Sequence, residues 1–220
     1  MKTLAFDTST KFLSIALFED DTVKTEYHED VGISHSEILV STIKDMLERI
    51  EWKFEDIDLV CVGLGPGSFT GLRIAAATVK GFSAVLNNKL VGVPTMDAMV
   101  LNFPSEAKRV APLLDARKGK VYSCIYERDE SHAKRITDYL LITIDELLAN
   151  LEEEVYFYGD GVIKYEEKLK QHPLAKYDKD ADWYPRAAQI GQIGIRRVSH
   201  MVDDPEVIEP LYLHSKECNI

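Results

Sequence analysis

Two stretches of the sequence repeat one pattern, one near the start of the chain and one near its middle. The segment "AFDTSTKFLSIALFEDD" begins at Ala5, and "LLDARKGKVYSCIYERD" aligns with it so that Asp115 falls on Asp7. Each segment is typical of a strand, a tight turn and a second strand, which together form a β-hairpin. A hairpin that begins again in this way predicts two related lobes built from a duplicated unit.

The first half of the chain predicts the element order β-β-β-α-β-α-β-α. Three short strands come first, and "SHSEILVSTIKDMLERI" follows them as an amphipathic helix. Ser34 and Glu37 form a capping-box pattern at the start of that helix. The second half is shorter and less regular, with element candidates at "VYFYGDG", "VIKYEEKLKQ" and "PRAAQIGQIGIRRVSH". We therefore expect a first lobe at residues 1–104 and a second, reduced lobe at residues 105–220.

Composition limits the class of protein. With 220 residues, 45% of them hydrophobic, the chain can bury a sizeable core. No apolar run approaches the length of a membrane span and the first residues follow no signal-peptide plan, so we expect a soluble cytoplasmic protein. The three cysteines lie far apart, which argues against a zinc ribbon or a disulfide framework, and we expect Cys61 and Cys124 to be buried in strands. A formal net charge of -11 predicts that the chain itself repels phosphate backbones.

A glycine-rich turn, "GPGSFTG", leads into a second helix, predicted at residues 68–86. Gly65, Pro66 and Gly67 permit a sharp reversal of the chain, and Ser68 is suited to cap the helix. No glycine stands two residues before Ser68, so the turn does not match the nucleophile elbow of a hydrolase. The turn is therefore predicted first to position the helix and second to offer N–H groups to an anion.

The helix at residues 68–86 has an unusual surface for one that faces water. Arg73 and Lys80 are its only charged residues. Larger apolar residues on one face suit packing on the lobe's own sheet, whereas Ala76 and Ala77 lie among small residues on another face. Because small residues let a second helix approach closely, this face predicts a subunit interface. Burial of the same face under the chain's own second lobe is the alternative.

Several of these segments together resemble the bacterial TsaB family. The most specific is "GLGPGSFTGLRIAAATVKG", and "SHSEILVSTIKDML", "GVPTMDAM", "LLDARKGKVY" and "PLYL" extend the resemblance over essentially the whole chain. The resemblance implies an α/β protein of the two-lobed actin-like (ASKHA) ATPase superfold, with lobes of β-β-β-α-β-α type and a shortened second lobe. It also implies a part in adding a threonylcarbamoyl group to N6 of the adenosine next to the anticodon of tRNA.

Within this resemblance the implied role is that of a non-catalytic, activating subunit. A TsaD-type transferase performs the chemistry, and a TsaE-type ATPase acts in the same pathway. We expect the chain to pair with the transferase, to form a homodimer when alone, and to meet tRNA only through the complex. The residues expected to bind the partner are Ser36, Leu39, Ile43, Phe69, Leu72, Arg73, Ala76, Ala77 and Lys80.

The resemblance also bears on metal binding. TsaD-type enzymes hold a metal with two histidines in an H-x-x-x-H pattern, and Thr95 and Met99 of "GVPTMDAM" stand at the matching positions. No two of the chain's six histidines are three or four residues apart. We therefore expect no metal site. His35 is expected at the surface, at the rim of the first predicted helix.

A nucleotide site is the remaining question. Kinases of this superfold use a hairpin of small polar residues to contact phosphates, and a second hairpin faces the first. The second hairpin here carries Ala116, Arg117 and Lys118, so the two-sided clamp is incomplete, although the two cations could meet phosphate. We expect no cofactor bound by the chain alone, with an adenine nucleotide at the joint with the partner as an open alternative. The candidate anion-binding residues are Asp7, Thr8, Ser9, Gly67 and Ser68.

Two other functions remain as alternatives to the subunit role. A small-molecule kinase of the same superfold would bind ATP·Mg²⁺ and hydrolyse it slowly. A stand-alone homodimeric binding module would function without any TsaD-type relative.

Overall fold

The computed structural model describes residues 1–86, 88–101, 103, 106–129, 133–178, 183–200, 202–205 and 208–213. The chain forms two compact units. The first unit contains Met1–Ala98 and Pro185–Leu211, and the second contains Met99–Tyr184 together with residues 212–220, of which 212 and 213 are described. His132, His214 and Cys218 lie outside the described residues.

The first unit is built on a five-stranded sheet with the strand order β3-β2-β1-β4-β5. Its strands are β1 (Lys2–Asp7), β2 (Phe12–Glu19), β3 (Thr22–Asp30), β4 (Leu59–Gly63) and β5 (Lys89–Val93). The first three form an antiparallel meander, and β1, β4 and β5 run parallel. The helices between them are α1 (His35–Arg49), α2 (Phe69–Val85) and α3 (Thr95–Leu101), and a short 3₁₀ turn lies at Phe54–Asp56. This order confirms the predicted β-β-β-α-β-α-β-α sequence of elements.

The second unit repeats the same topology with shorter elements. Its main strand order is β10-β7-β6-β11-β12, in which β6, β7 and β10 are antiparallel and β6, β11 and β12 are parallel. The strands are β6 (Arg109–Asp115), β7 (Lys120–Ser123), β8 (Tyr126–Arg128), β9 (Ala133–Arg135), β10 (Leu140–Thr143), β11 (Val155–Tyr158) and β12 (Ala175–Tyr177). The helices are α4 (Ile144–Ala149) and α5 (Asp160–Gln171). The structure therefore confirms the duplicated, actin-like fold and the shortened second half.

The last helix, α6 (Ala187–Arg197), belongs to a different unit from the one predicted. Residues 105–220 were expected to form the second lobe, but α6 packs on strands β1, β2, β4 and β5 of the first unit. Gly191 lies against Phe18 and Gly194 against Cys61 so closely that a Cβ at either glycine would collide with the neighbouring side chain. Glycine allows the helix to approach the sheet, which explains why α6 belongs to the first unit.

Residues 203–205 and 208–211 form a C-terminal strap along the first unit. The Asp203 N–H donates to the Leu90 carbonyl (2.8 Å), and the Gly92 N–H donates to the Asp203 carboxylate (2.6 Å). Ile208 is buried in the core, and the Leu211 N–H donates to the Leu64 carbonyl (2.8 Å). The strap therefore supplies hydrogen bonds to β5 at the edge of the sheet and apolar contact beside α2.

Helices cover both faces of the first sheet. On one face, α1 and α2 bury an apolar cluster that includes Phe6, Leu13 and Ile43. On the other face, α6 covers the small residues Ala5 and Ala16 together with other side chains of the sheet. None of the helices in the described part of the chain has the length and apolar character needed to cross a bilayer.

Several local predictions at the ends of these elements can be compared with the structure. Ser34 is the N-cap of α1 as predicted, but its side chain makes no capping hydrogen bond, so the capping box with Glu37 does not form. His35 was expected at the surface and is instead 4% exposed, with Nε2 3.2 Å from the Phe12 carbonyl. Cys61 is buried in β4 as predicted, whereas Cys124, also buried, lies just after β7.

Candidate functional site

The hairpin between β1 and β2 is held by the side chain of Asp7. One oxygen of this buried carboxylate accepts hydrogen bonds from the Ser9 N–H (2.8 Å) and the Ser9 hydroxyl (2.6 Å). The other oxygen accepts from the Thr95 hydroxyl (2.8 Å), which in turn accepts from the Gly65 N–H (3.0 Å). Burial raises the pKa of Asp7, and the hydrogen bonds from Ser9 and Thr95 partly oppose that rise. The carboxylate therefore ties the hairpin to the glycine-rich turn and to the start of α3.

The hairpin also contacts the first turn of α2. The Thr8 hydroxyl donates to the Gly71 carbonyl (2.8 Å), and the Ser68 N–H donates to the Ser9 carbonyl (2.6 Å). A Cβ at Gly71 would collide with the Thr8 carbonyl, and a Cβ at Gly67 would collide with that of Ser9. The glycines of "GPGSFTG" therefore let two backbone segments touch. Gly65 has a different role, since its φ of +87° is a conformation that side-chain-bearing residues rarely adopt.

The five predicted anion-binding residues therefore lie together, but hydrogen bonds join Asp7, Ser9 and Ser68 to one another and Thr8 to Gly71. Asp7, Thr8 and Ser9 are buried, Gly67 is half-buried, and Ser68 is exposed. The Ser68 hydroxyl caps α2 by accepting from the Gly71 N–H (3.3 Å), as the sequence predicted. A phosphate cradle needs free N–H groups, and those of Ser9, Gly65, Ser68 and Gly71 are already paired inside the protein. These hydrogen bonds therefore join the β1–β2 hairpin to the glycine-rich turn and to the start of α2.

The equivalent hairpin of the second unit has the same aspartate-anchored turn, but its tip is exposed. Asp115 accepts from the Arg117 N–H (3.0 Å), just as Asp7 accepts from Ser9. Both Asp115 oxygens also accept from the Lys164 ammonium (2.8 Å each). Arg117 and Lys118, at the tip of the turn, are exposed. Asp7 and Asp115 therefore stabilise equivalent turns, and the residues that follow them differ in type and in exposure.

Thr95 and Met99, at the positions matched to the histidine pair, are both buried. The Thr95 hydroxyl is committed to Asp7, and Met99 is apolar. Across the described residues no group of three His, Cys, Asp or Glu side chains is arranged to hold a metal ion. Sequence reasoning missed the role of Thr95, and its signal would have been a buried hydroxyl at the start of a helix that follows a strand.

The predicted partner-binding residues divide into exposed and buried groups. Ser36, Phe69, Arg73, Ala77 and Lys80 are exposed, and Ala76 is half-buried. Leu39, Ile43 and Leu72 are buried, with Leu39 and Ile43 in the core of the first unit. These three residues were therefore misplaced: Leu39 and Ile43 belong to the apolar stripe of α1, which packs inward, and Leu72 packs against Gly65 of the glycine-rich turn.

The exposed stripes of α1 and α2 include residues that the sequence analysis did not name. Val40, four residues after Ser36, is 49% exposed, and Val85 near the end of α2 is 79% exposed. The Arg73 guanidinium lies over the Phe69 ring, 3.9 Å from its centroid. Helices α1 and α2 pack side by side. We refer to Ser36, Val40, Phe69, Arg73, Ala77, Lys80 and Val85 as the α1–α2 surface.

Comparisons with known proteins give the family. A family model described as TsaD: tRNA N6-adenosine threonylcarbamoyltransferase matches residues 22–220. An Escherichia coli protein, tRNA threonylcarbamoyladenosine biosynthesis protein TsaB, is 35% identical over 133 residues, which cover 60% of this chain and 57% of that protein. The Bacillus subtilis protein of the same name is 27% identical over 173 residues, covering 77% of this chain and 76% of that one. The chain belongs to the TsaB family.

A solved TsaB-family structure agrees with the fold. YeaZ from Pseudomonas aeruginosa superposes with a TM-score of 0.82 at 26% identity, over 96% of this chain and 99% of that one. The family model that matches this chain is the TsaD model, so the chain contains a domain of that type. The aligned segment covers just over half of the E. coli TsaB protein.

Proposed function

We propose that the chain is a non-catalytic subunit of a tRNA threonylcarbamoyladenosine-forming complex. It pairs with a TsaD-type transferase and activates it, and the transferase carries the catalytic metal. The relatives named TsaB, whose names refer to threonylcarbamoyladenosine biosynthesis, support this role over that of a small-molecule kinase.

The arrangement of Thr95 carries the proposal. A TsaD-type enzyme requires metal ligands at this position and at that of Met99, whereas the Thr95 hydroxyl here joins Asp7 to the glycine-rich turn. The side chain at position 95 therefore makes structural hydrogen bonds instead of binding a metal. The paired N–H groups around Ser9 and Ser68 support the absence of a phosphate site in the same hairpin. A fold inherited from catalytic relatives thus retains its shape without the groups that perform chemistry.

The α1–α2 surface is the proposed contact with the transferase. Apolar side chains at Val40, Phe69 and Val85 lie on it beside two cations and a small alanine. Arginine and aromatic residues are enriched among the energetically dominant residues of interfaces, and the stacked Phe69–Arg73 pair is such an anchor. Small side chains near it allow a partner helix to approach. The same surface serves the proposed homodimer of the chain alone.

The remaining parts of the proposal concern other partners and location. A net charge of -11 opposes independent binding of tRNA, so tRNA is held through the complex. A TsaE-type ATPase joins the same assembly, and any adenine nucleotide sits at the joint between subunits. The complex works in the cytoplasm.

Reconstitution tests the proposed function. The purified chain, the TsaD-type partner and their mixture are each given threonylcarbamoyl-AMP and tRNA that lacks the modification. We expect modified tRNA from the mixture and none from the chain alone. Robust modification by the chain in a preparation free of the transferase would contradict the non-catalytic role. Slow ATP hydrolysis by the chain alone would favour the kinase alternative.

A further inference from the structure

The tight turn between β6 and β7 carries a concentration of positive charge that the proposed function does not use. Arg117, Lys118 and Lys120 lie within four residues, and all three are exposed. Within the described part of the chain, no ion pair joins any of them to a carboxylate. Such a cluster contrasts with the net charge of -11 of the whole chain.

Acidic groups beside this turn have partners within the unit, and one of them, Asp160, accepts a hydrogen bond from the Asp115 N–H (3.0 Å). Asp115 is held by the Lys164 ammonium through both oxygens. The Glu146 carboxylate accepts from the Thr143 N–H (2.9 Å) and hydroxyl (2.8 Å) at the start of α4, and Lys120 acts on it only by charge. Glu146 therefore balances part of the charge of Lys120, whereas no ion pair with a described carboxylate balances Arg117 or Lys118.

The backbone of the turn is unfavourable for the residues that it carries. Arg117, Lys118 and Gly119 have φ values of 62°, 49° and 79°. Glycine and asparagine adopt this left-handed conformation readily, and long side chains seldom do. The turn is well defined, since the Lys120 N–H donates to the Arg117 carbonyl (2.9 Å) and the Ala116 N–H to that of Lys120 (3.1 Å). Backbone conformation alone favours asparagine or glycine at these positions. The presence of Arg117 and Lys118 therefore indicates a functional role rather than a role in folding.

The first unit supplies an internal comparison. Its equivalent hairpin keeps the aspartate-anchored turn, but buried Ser9 and half-buried Thr10 stand where Arg117 and Lys118 do. A hairpin of this topology therefore needs no cations. Within the turn itself, only Ala116 and Gly119 accompany the charged residues, so the turn carries no large apolar side chain of the kind that forms the centre of a protein interface.

We propose that the β6–β7 turn contacts the phosphodiester backbone of RNA when the chain is in complex with its transferase. This inference rests on the proposed function, which supplies the RNA. Arginine and lysine side chains bind phosphate oxygens without reading sequence, and a rigid turn projects them from the unit. The contact adds to an affinity supplied mainly by the partner. The isolated chain remains a weak RNA binder because its total charge repels the backbone.

The test compares two triple variants in the assembled complex with the transferase. Each variant replaces three exposed cationic residues of the second unit by neutral ones. The turn variant carries Arg117→Asn, Lys118→Asn and Lys120→Gln. The control carries Lys134→Gln, Lys170→Gln and Lys176→Gln. The affinity for unmodified tRNA is measured over a range of salt concentrations. We expect the turn variant to bind about tenfold more weakly at low salt, with the logarithmic salt dependence reduced by about two. The control should match the wild type.

Stability separates loss of contact from loss of folding. Asparagine tolerates the left-handed backbone, so the turn variant should melt at the wild-type temperature or above. Equal losses in both variants, or an unchanged salt dependence, would overturn the proposal. Unchanged tRNA binding with weaker ATP binding would indicate that the turn binds a mononucleotide. Weaker pairing with the transferase would indicate that the turn binds a protein. Either result overturns the proposed RNA contact. A wild-type complex that neither binds nor modifies tRNA would refute the proposed function itself.

Discussion

The Thr95 hydroxyl donates a hydrogen bond of 2.8 Å to the Asp7 carboxylate, and both residues are buried. This bond links the first strand of the chain to the start of α3. It also places the Thr95 oxygen where it accepts from the Gly65 N–H (3.0 Å). One hydroxyl thus satisfies a buried charge and a buried backbone donor.

Replacement of this hydroxyl tests its structural role. Thr95→Val leaves the Asp7 oxygen without its donor and the Gly65 N–H without its acceptor, and each unsatisfied buried group costs about 1–3 kcal/mol. We expect the free energy of unfolding, measured by urea denaturation, to fall by about 2–4 kcal/mol. Thr3→Val is the matched control, because the buried Thr3 hydroxyl makes no hydrogen bond to any residue that the structure describes. That variant should be neutral or stabilising, and equal losses in the two would contradict the assigned role.

The pH dependence of stability should report the buried carboxylate of Asp7. Because burial raises the pKa of Asp7 in the folded state, its contribution to stability is fully present below the unfolded pKa of about 3.9 and is lost as the pH rises through the folded value. Asp7→Asn removes this dependence while keeping the side-chain shape. The free energy of unfolding of the variant relative to the wild type should therefore increase from about pH 4 to pH 7.

Asp30 supplies a control of opposite sign. A hydrogen bond from Lys11 lowers the pKa of Asp30, so its contribution is present above the unfolded pKa and is lost as the pH falls. Asp30→Asn should therefore become less stable than the wild type as the pH rises. If Asp7→Asn followed the same trend as Asp30→Asn, the raised pKa of Asp7 would be refuted.

Two glycines of the same helix should respond in opposite ways to alanine. A Cβ at Gly71 collides with the Thr8 carbonyl, whereas a Cβ at Gly81 meets nothing within 4 Å. We expect Gly71→Ala to lower the free energy of unfolding by about 1–3 kcal/mol or more, through overpacking of the hairpin. Gly81→Ala should raise it by about 0.5–1 kcal/mol, because alanine favours helix. Thermal and urea unfolding measure both, and a tolerated Gly71→Ala would show that hairpin and helix do not touch.

Ala77→Arg tests the α1–α2 surface. Ala77 is a better probe than Ala76, which is half-buried beside Ile208 and Pro210 of the strap. Arginine at the exposed position leaves the monomer folded but holds a partner helix away and places a third cation beside Arg73 and Lys80. We expect pairing with the transferase to weaken at least about 100-fold, as desolvation of an unpaired charge costs several kcal/mol.

The measurements for this surface are co-elution with the partner and thermal melting of the variant alone. Gln171→Arg, at the exposed end of α5, is the matched control and should pair normally. Leu39→Ala is the complementary variant, since a core leucine should reduce stability by about 2–5 kcal/mol. Normal co-elution of Ala77→Arg would place the interface elsewhere.

The sequence predicted the fold well where local patterns decide it. Hairpins, the amphipathic stripe of α1 and the cap at Ser68 depend on neighbours a few residues away, and these predictions are confirmed. Tertiary partners were harder to predict. The segment that forms α6 was expected in the second lobe, because nothing local in it identifies the sheet on which it packs. The inward direction of Leu39 and Ile43 depended on where the sheet lies. His35 is buried because the Phe12 carbonyl offers it a partner, a contact that no local spacing encodes.

The return of α6 and the C-terminal strap to the first unit has a consequence for synthesis of the chain on the ribosome. Residues 1–98 alone leave Ala5, Phe18 and Cys61 without their helical cover. Domains generally fold in the order in which they emerge, but this unit cannot be completed until residues 185–211 have left the exit tunnel. Residues 99–184 of the second unit, which are encoded between the two parts, can therefore fold first. A nascent chain halted before residue 185 presents an uncovered apolar sheet, which makes it a substrate for chaperones.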